Sequence, residues 1–268
     1  MLEKFEHVFG FLPYGDVPAV SVLALCLIYL SAFFIKGAVG FGNLSIIVVF
    51  SAFVLPPHTA ILIAAVTAVV SQVQYLPQAI RDGDWRITRP VLLSYFIAST
   101  IGIWIFGRMD AAWLSVVLGI ALGLILAADM FEWLAWAAKR IDLHDRRVLY
   151  PVSAISGFIT GLTGAGGLFF VALYVKQLAP EPRRFRGTVL QLGVILTVWR
   201  LIVLSLNGLI NIQILTETVL LLPAVFIGGF IGTQCYRLIS AKRFFTIIQV
   251  VLLAAACGLV WRGIASLI

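Results

Sequence analysis

The sequence predicts an all-α integral membrane protein with about ten transmembrane or half-membrane helices in two five-segment, inverted-topology repeats. Three observations carry this prediction. The 268 residues are 62% hydrophobic and only 12% charged, about half the charged fraction of a soluble domain. The apolar residues form runs of membrane-spanning length, such as 19–35 and 111–128. The order of glycine-rich and polar segments in the first half of the chain recurs in the second half.

Hydropathy breaks divide the chain into ten apolar segments. We place them at 18–36, 43–55, 58–79, 90–107, 111–135, 150–162, 166–179, 187–206, 216–236 and 243–262. Several, such as 166–179, are too short to cross a hydrocarbon core of about 30 Å as a helix. Short segments in pairs are typical of broken or re-entrant helices. We assign a first repeat to 1–137, a basic cytoplasmic linker to 138–149 and a second repeat to 150–268.

Basic residues are concentrated in alternate loops. Of the 19 Lys and Arg residues, fourteen lie near 78–90, 138–150, 176–186 and 237–243. The positive-inside rule places these four loops in the cytoplasm and both termini outside. This topology accounts for the net charge of +7, so nucleic acid is not an expected partner. We expect a multi-pass protein of a bacterial-type inner membrane, in contact with membrane lipid, and a homo-oligomer stays an open alternative.

A glycine-rich segment occurs twice. The stretch from Gly37 to Asn43 recurs 124 residues later, from Gly161 to Gly167. Residues 84–87 have a weak echo at 211–214, and residues 99–102 correspond to 229–232. Because each copy contains five segments, an odd number, the second copy enters the membrane from the opposite face. The loop charges predict the same inversion independently.

The two glycine segments are candidate anion sites. Glycine can leave the helix with positive φ and exposes its backbone to a ligand. A helix that starts directly afterwards, at Asn43 or Gly166, presents free N–H groups and a positive dipole end to an anion. The alternative is close helix packing through small residues. The predicted substrate-binding residues of these segments are Gly37, Gly40, Gly42, Asn43, Gly161, Thr163, Gly164, Gly166 and Gly167.

Two basic residues interrupt the apolar runs. Arg200 stands thirteen residues after Gly187, about 20 Å into the bilayer, where an arginine needs an aqueous cavity or a partner. Lys36 precedes the first glycine segment and is placed to neutralise an anion. The alternatives are snorkelling for both residues and a bond to a carbonyl for Arg200. The acidic residues Asp129, Glu132 and Glu217 are expected near water at the membrane faces.

Uncharged polar residues mark the third and eighth segments, which are equivalent in the two repeats. Gln72 and Gln74 lie in the third segment, Gln191 and Thr197 in the eighth, and Thr160 and Thr163 beside the second glycine segment. These residues are placed to line one common path, and we include Gln74 and Gln191 among the predicted substrate contacts. A hydrogen bond to a neighbouring helix is the alternative for each.

The duplicated glycine segments resemble those of the TauE/SafE family of sulfite and organosulfur-anion exporters. The matching stretches are 37–43 and 161–167, and the resemblance covers nearly the whole chain. The chain departs from the family where Asn43 and Leu44 replace continuing glycine, where Leu168 ends the second glycine run, and where a proline is absent after both. The resemblance implies export of sulfite or a related organosulfur anion.

The expected function is that of a secondary transporter that moves a small anion by alternating access between the repeats. The chain has no Walker A motif, so we expect no direct ATP coupling within it. It has no GxSxG motif and no histidine in the middle of a span, so we expect neither an enzyme nor a cofactor or metal site. A passive anion channel and, less favoured, a membrane-embedded enzyme remain the alternatives.

Overall fold

The computed structural model describes residues 13–15, 17–39, 42–131, 133, 145–235 and 241–267, with the backbone alone at 39, 169 and 241–247. This part of the chain forms ten α-helices and no strand. They are α1 Ala19–Val39, α2 Asn43–Val54, α3 Pro57–Asp82, α4 Trp85–Phe106, α5 Ala111–Met130, α6 Arg146–Thr163, α7 Leu168–Leu178, α8 Pro182–Leu206, α9 Ile212–Cys235 and α10 Ala241–Ala265. The predicted all-α fold is confirmed.

Seven of these helices are long and apolar enough to cross a membrane: α1, α3, α4, α5, α8, α9 and α10. The protein is therefore a multi-pass membrane protein. Helices α2 and α7 contain only 12 and 11 residues, about 18 Å and 16 Å of helix, which is half of a bilayer core. Each short helix follows a glycine segment, as predicted for broken helices.

Several helices begin before the predicted apolar segments. Asp84 accepts a hydrogen bond from the backbone N–H of Arg86, and α4 starts at Trp85 rather than at 90. Asp145 caps α6 in the same way, so the predicted short segment at 150–162 is the apolar part of an 18-residue helix. Helix α8 starts at Pro182, because proline suits the first helical turn. Hydropathy marks where a helix meets lipid, whereas caps decide where it begins.

Eight of the ten described helices pack in four pairs, and each pair joins one helix of the first half to one helix of the second half. Helix α1 packs along α9, as α6 packs along α4, while α5 packs along α10 and α3 along α8. The starts of α3 and α8, Pro57 and Pro182, are 125 residues apart. The order of helices is therefore the same in both halves, as an internal repeat predicts. The inverted two-fold relation and the orientation of the termini stay predictions.

The predicted surroundings of the acidic residues need one correction. Glu217 of α9 is only 3% exposed, and the Gln213 amide donates to its carboxylate at 3.0 Å. The expectation that Glu217 lies near water is therefore wrong, because the segment before α1 covers it, with the Tyr14 hydroxyl bonded to the Glu217 carbonyl. Asp129 is half-buried and accepts from Gln249. Glu132 and most of the 138–149 linker lie outside the described residues.

Candidate functional site

Both glycine segments are breaks between helices. In the first break, Gly42 has φ of 92° and caps the start of α2. In the second, Gly164 ends α6 with φ of 81°, and Gly166 has φ of 88°. These left-handed conformations are readily adopted only by glycine. Because Gly166 takes one of them, α7 starts at Leu168, two residues later than predicted. Gly40 lies outside the described residues.

A cavity of about 40 Å³ lies between the two breaks. Residues of α1, α2, α3, α6, α7 and α8 line it together with both breaks. Its polar side chains are Lys36, Asn43, Ser45, Gln72, Thr160 and Thr197, and its glycines include Gly42 and Gly166. A second, smaller cavity of about 10 Å³ adds Tyr95 and Arg200. The two cavities adjoin, because Leu44, Ala68, Thr160, Leu168 and Thr197 line both.

Lys36 is held inside the protein. Its side chain is 4% exposed, and its ammonium group donates to the Ser71 hydroxyl at 2.8 Å. The ammonium also lies 4.8 Å from the centre of the Tyr75 ring, within the range of a cation–π interaction. Lys36 therefore does not snorkel to the membrane face. The partners of the ammonium are thus a hydroxyl and an aromatic ring, and no carboxylate pairs with it among the described residues.

Arg200 lies behind the second break. It is 4% exposed, and its Nη1 donates to the Gly164 carbonyl at 3.1 Å. Its Nε and Nη2 have no hydrogen-bond partner among the described residues. Gly164 makes room for the guanidinium, because a Cβ at this position would lie 3.0 Å from both Nη atoms. Arg200 thus combines the two alternatives drawn from the sequence, a bond to a carbonyl and a place in a cavity wall.

Uncharged polar side chains in the cavity wall connect α3 to α8. The Gln72 amide nitrogen donates to the Thr197 hydroxyl at 3.1 Å. Asn43, the first residue of α2, has an amide nitrogen that is buried without a partner in the described part of the chain. The cavity therefore contains unused donors close to the helix start at Asn43, which adds its own backbone donors.

The charge of the two cavities is entirely positive in the described residues. Lys36 and Arg200 supply two cations, and no Asp or Glu is among the residues that line either space. Two unpaired buried cations are unfavourable in a low-dielectric interior unless a counter-ion or water is present. The arrangement is therefore suited to an anion.

Two predicted glutamine contacts lie elsewhere. Gln74 donates to the Phe226 carbonyl at 3.2 Å and joins α3 to α9. Gln191 accepts from the Thr88 hydroxyl at 2.8 Å and joins α8 to α4. Neither lines the two cavities. Both residues therefore make the hydrogen bond to a neighbouring helix that the sequence left open as the alternative.

The remaining predicted residues support the breaks from outside the cavity lining. A Cβ on Gly37 would lie 2.5 Å from the Gly229 carbonyl oxygen, and one on Gly161 would overlap the Ser99 carbonyl, so both glycines serve helix packing. The Thr163 hydroxyl donates to the Ala165 carbonyl at 2.8 Å and braces the second break. The Gly167 carbonyl accepts from the Ser156 hydroxyl.

Sequence reasoning missed Ser45, Ser71 and Tyr95, and it did not select Gln72 as a substrate contact. Ser71 holds Lys36, whereas the other three line the cavities. Each is a single polar group on a helix that is apolar on most sides, so hydropathy does not reveal which face it occupies. The spacing of Gln72 and Thr197, 125 residues, equals that of the helix starts of α3 and α8 and was the available signal.

Comparisons with known proteins find one family model and one curated relative that match this chain. A family model described as "Sulfite exporter TauE/SafE" matches residues 25–259. A curated relative from Comamonas testosteroni, "Probable inner membrane transporter protein TsaS", is 25% identical over 191 residues, which cover 68% of this chain and 76% of the relative. No solved structure matches the chain.

Proposed function

Because the chain belongs to the sulfite exporter TauE/SafE family, as its duplicated glycine segments predicted, we propose that it is a secondary transporter of a small oxidised-sulfur anion. The chain is a membrane transporter by family membership. The substrate class, sulfite or a related organosulfur anion, and alternating access between the two halves are the proposal. The printed name of the Comamonas relative further supports an inner membrane location.

The observation that carries the proposal is the pair of buried cations in a cavity wall without a carboxylate. Lys36 and Arg200 are each 4% exposed. Three nitrogen donors, Arg200 Nε and Nη2 and Asn43 Nδ2, are buried without partners in the described residues. An oxyanion would satisfy these donors and offset the desolvation cost of the cations. Sulfite and sulfonates present three oxygens in a compact group, which can accept hydrogen bonds from the donors of one cavity at a time.

The two cations lie at different depths along α3. Ser71 holds Lys36, whereas Ile61 lies beside Gly164, the carbonyl partner of Arg200. Ten residues of helix separate Ser71 from Ile61, about 15 Å. A single sulfite is too small to span this distance, so we propose that the anion meets Arg200 and Lys36 in succession. Two stations on one path are consistent with a site that opens alternately to each side.

Flux measurements in proteoliposomes test this function. We expect saturable uptake of sulfite and counterflow when unlabelled substrate is placed on the opposite side, with weaker transport of carboxylates of similar size. Thiosulfate and simple sulfonates belong in the same panel. Flux that rises linearly with concentration and shows no counterflow would favour the channel alternative. Absence of transport for every sulfur anion, from a protein that is folded and inserted, would refute the proposed substrate class.

A further inference from the structure

One buried acceptor in the cavity wall differs from all the donors around it. Gln72 is 7% exposed, and its Oε1 has no hydrogen-bond partner in the described residues. The other charged or unpartnered groups that line the two cavities are donors: the Lys36 ammonium, the Asn43 amide nitrogen, and Arg200 Nε and Nη2. A carbonyl oxygen in this position is unfavourable for an anion unless the anion brings a hydrogen to it.

The direction of the Gln72 amide follows from its partner. The Thr197 hydroxyl donates to the Gly193 carbonyl at 2.6 Å, so its single hydrogen is committed to the helix backbone. Towards Gln72, at 3.1 Å, Thr197 can then act only as an acceptor. The nitrogen of the amide must therefore face Thr197, which leaves Oε1 as the free end. The assignment rests on the hydrogen-bond network rather than on the shape of the amide.

An anion with acceptors alone leaves this oxygen unsatisfied. Sulfite dianion, sulfate and methanesulfonate have no hydrogen to donate, whereas hydrogensulfite and sulfamate do. A site with a buried acceptor discriminates strongly against a ligand that has no hydrogen-bond donor. When such a ligand binds, the acceptor is left without a hydrogen bond.

We propose that the cavity selects sulfur oxyanions that carry a hydrogen-bond donor, and that Gln72 Oε1 accepts the hydrogen bond from this donor. The species taken from a sulfite solution is then hydrogensulfite rather than the dianion. Where the anion meets Lys36, the donors at Lys36 and Asn43 bind its oxygens, and Gln72 recognises the single hydrogen. This inference rests on the proposed function, since it names the form of the substrate for the same site.

Sulfamate and methanesulfonate form a matched pair for the test. Both are tetrahedral at sulfur, nearly equal in size and singly charged at neutral pH, and they differ in an NH₂ group against a CH₃ group. Titration calorimetry with the purified protein in lipid nanodiscs gives both dissociation constants. We expect sulfamate to bind about tenfold more tightly to the wild-type protein. In Gln72→Leu, this ratio should fall to about one.

Gln74→Leu is the matched control. It removes a buried glutamine two residues along the same helix, but one that bonds Phe226 outside the cavity, so the tenfold preference should persist. Gln72→Met provides a second, less branched replacement if the leucine variant does not fold. Equal affinities in the wild-type protein, or a preference that survives in folded Gln72→Leu or Gln72→Met, would overturn the inference.

The same experiment separates failure of this inference from failure of the proposed function. Equal binding of sulfamate and methanesulfonate, together with saturable sulfite flux, refutes only the donor selectivity. Absence of binding for both anions, together with absence of sulfite flux, refutes the transport of sulfur anions as well.

Discussion

The two glycine breaks share a backbone plan but differ in what surrounds it. At Gly42, nothing lies within 4 Å of the position that a Cβ would occupy. In the second break, a Cβ on Gly166 would lie 2.7 Å from Ile125, and one on Gly164 would lie 3.0 Å from the Arg200 guanidinium. The first break needs glycine for conformation alone, whereas the second needs it for conformation and space. A repeated sequence therefore reproduces a backbone turn without reproducing the packing around it.

The two buried cations, Lys36 and Arg200, also differ between the halves in their position along the repeated sequence. The repeat spacing makes Thr160 the counterpart of Lys36 and Tyr75 the counterpart of Arg200. In the first half, Lys36 lies over the Tyr75 ring, and in the second half, Thr160 and Arg200 line the same small cavity. Each half thus supplies one buried basic residue, Lys36 on α1 and Arg200 on α8, which are the first and the third helix of their halves. The two residues do not occupy corresponding positions in the repeated sequence.

The largest expected effect is at Gly164. Gly164→Ala adds a Cβ to a left-handed residue, which costs about 1–2 kcal/mol, and it also crowds Arg200 and Ile61, which costs about 1–3 kcal/mol more. We expect a loss of about 3 kcal/mol, with displacement of the guanidinium and strongly reduced sulfite flux. The melting temperature in detergent and flux in proteoliposomes measure both effects. A stable and active Gly164→Ala protein would contradict the crowding described for the second break.

The packing glycines should behave alike in the two halves. Gly37→Ala would press α1 against α9, and Gly161→Ala would press α6 against α4, in each case on a backbone carbonyl. We expect losses of about 2 kcal/mol for each, similar to one another. Comparison of their melting temperatures checks this. A large effect from one and none from the other would break the equivalence of the two helix pairs.

A smaller effect is expected at Gly42. Gly42→Ala meets open space, so only the left-handed conformation opposes it, at about 1 kcal/mol. The variant should be clearly more stable than Gly164→Ala in the same detergent and should keep measurable sulfite flux. If the two alanine variants lose equal stability, the contrast between the breaks is not one of packing.

The smallest effect concerns the helix caps after α3 and α8. Asp84 caps α4 through the Arg86 N–H and pairs with the exposed Arg184, whereas the neutral Asn211 caps α9 through the Ile214 N–H. Hydrogen bonds from Arg184 hold the pKa of Asp84 below its usual value. Asp84→Asn keeps a cap and loses the ion pair, so we expect a loss below about 1 kcal/mol.

This ion pair also predicts a pH dependence. Because the folded protein holds the pKa of Asp84 below its unfolded value, the stabilisation is present above the unfolded pKa and is lost as the pH falls through the folded pKa. The melting temperature of the wild-type protein should therefore fall slightly more on acidification than that of Asp84→Asn. An identical pH profile for both proteins would show that the ion pair between Asp84 and Arg184 does not stabilise the fold.

The sequence predicts much of the fold because lipid restricts the alternatives. Backbone groups in a bilayer must be paired within helices, so apolar runs and glycine interruptions determine the ten segments. The site is harder to predict, as Gln72 and Gln74 illustrate. Two residues correspond to about 200° around a helix, so they face opposite sides, and a helix that is apolar all round does not reveal which side meets the cavity. Only the packing of α3 between α8 and α9 decides it.

Arg200→Gln tests the central claim, that a buried cation in this cavity binds the transported anion. We expect sulfite affinity in nanodiscs to fall about tenfold or more while the melting temperature changes little, because the loss of one hydrogen bond to the Gly164 carbonyl is offset by removal of a buried charge. Arg262→Gln is the matched control, since Arg262 also donates to backbone carbonyls, of Ala52 and Phe53, but outside the cavity. It should keep sulfite affinity at the wild-type level. Wild-type affinity in Arg200→Gln, with a lowered melting temperature, would show that Arg200 is structural and would contradict the anion site.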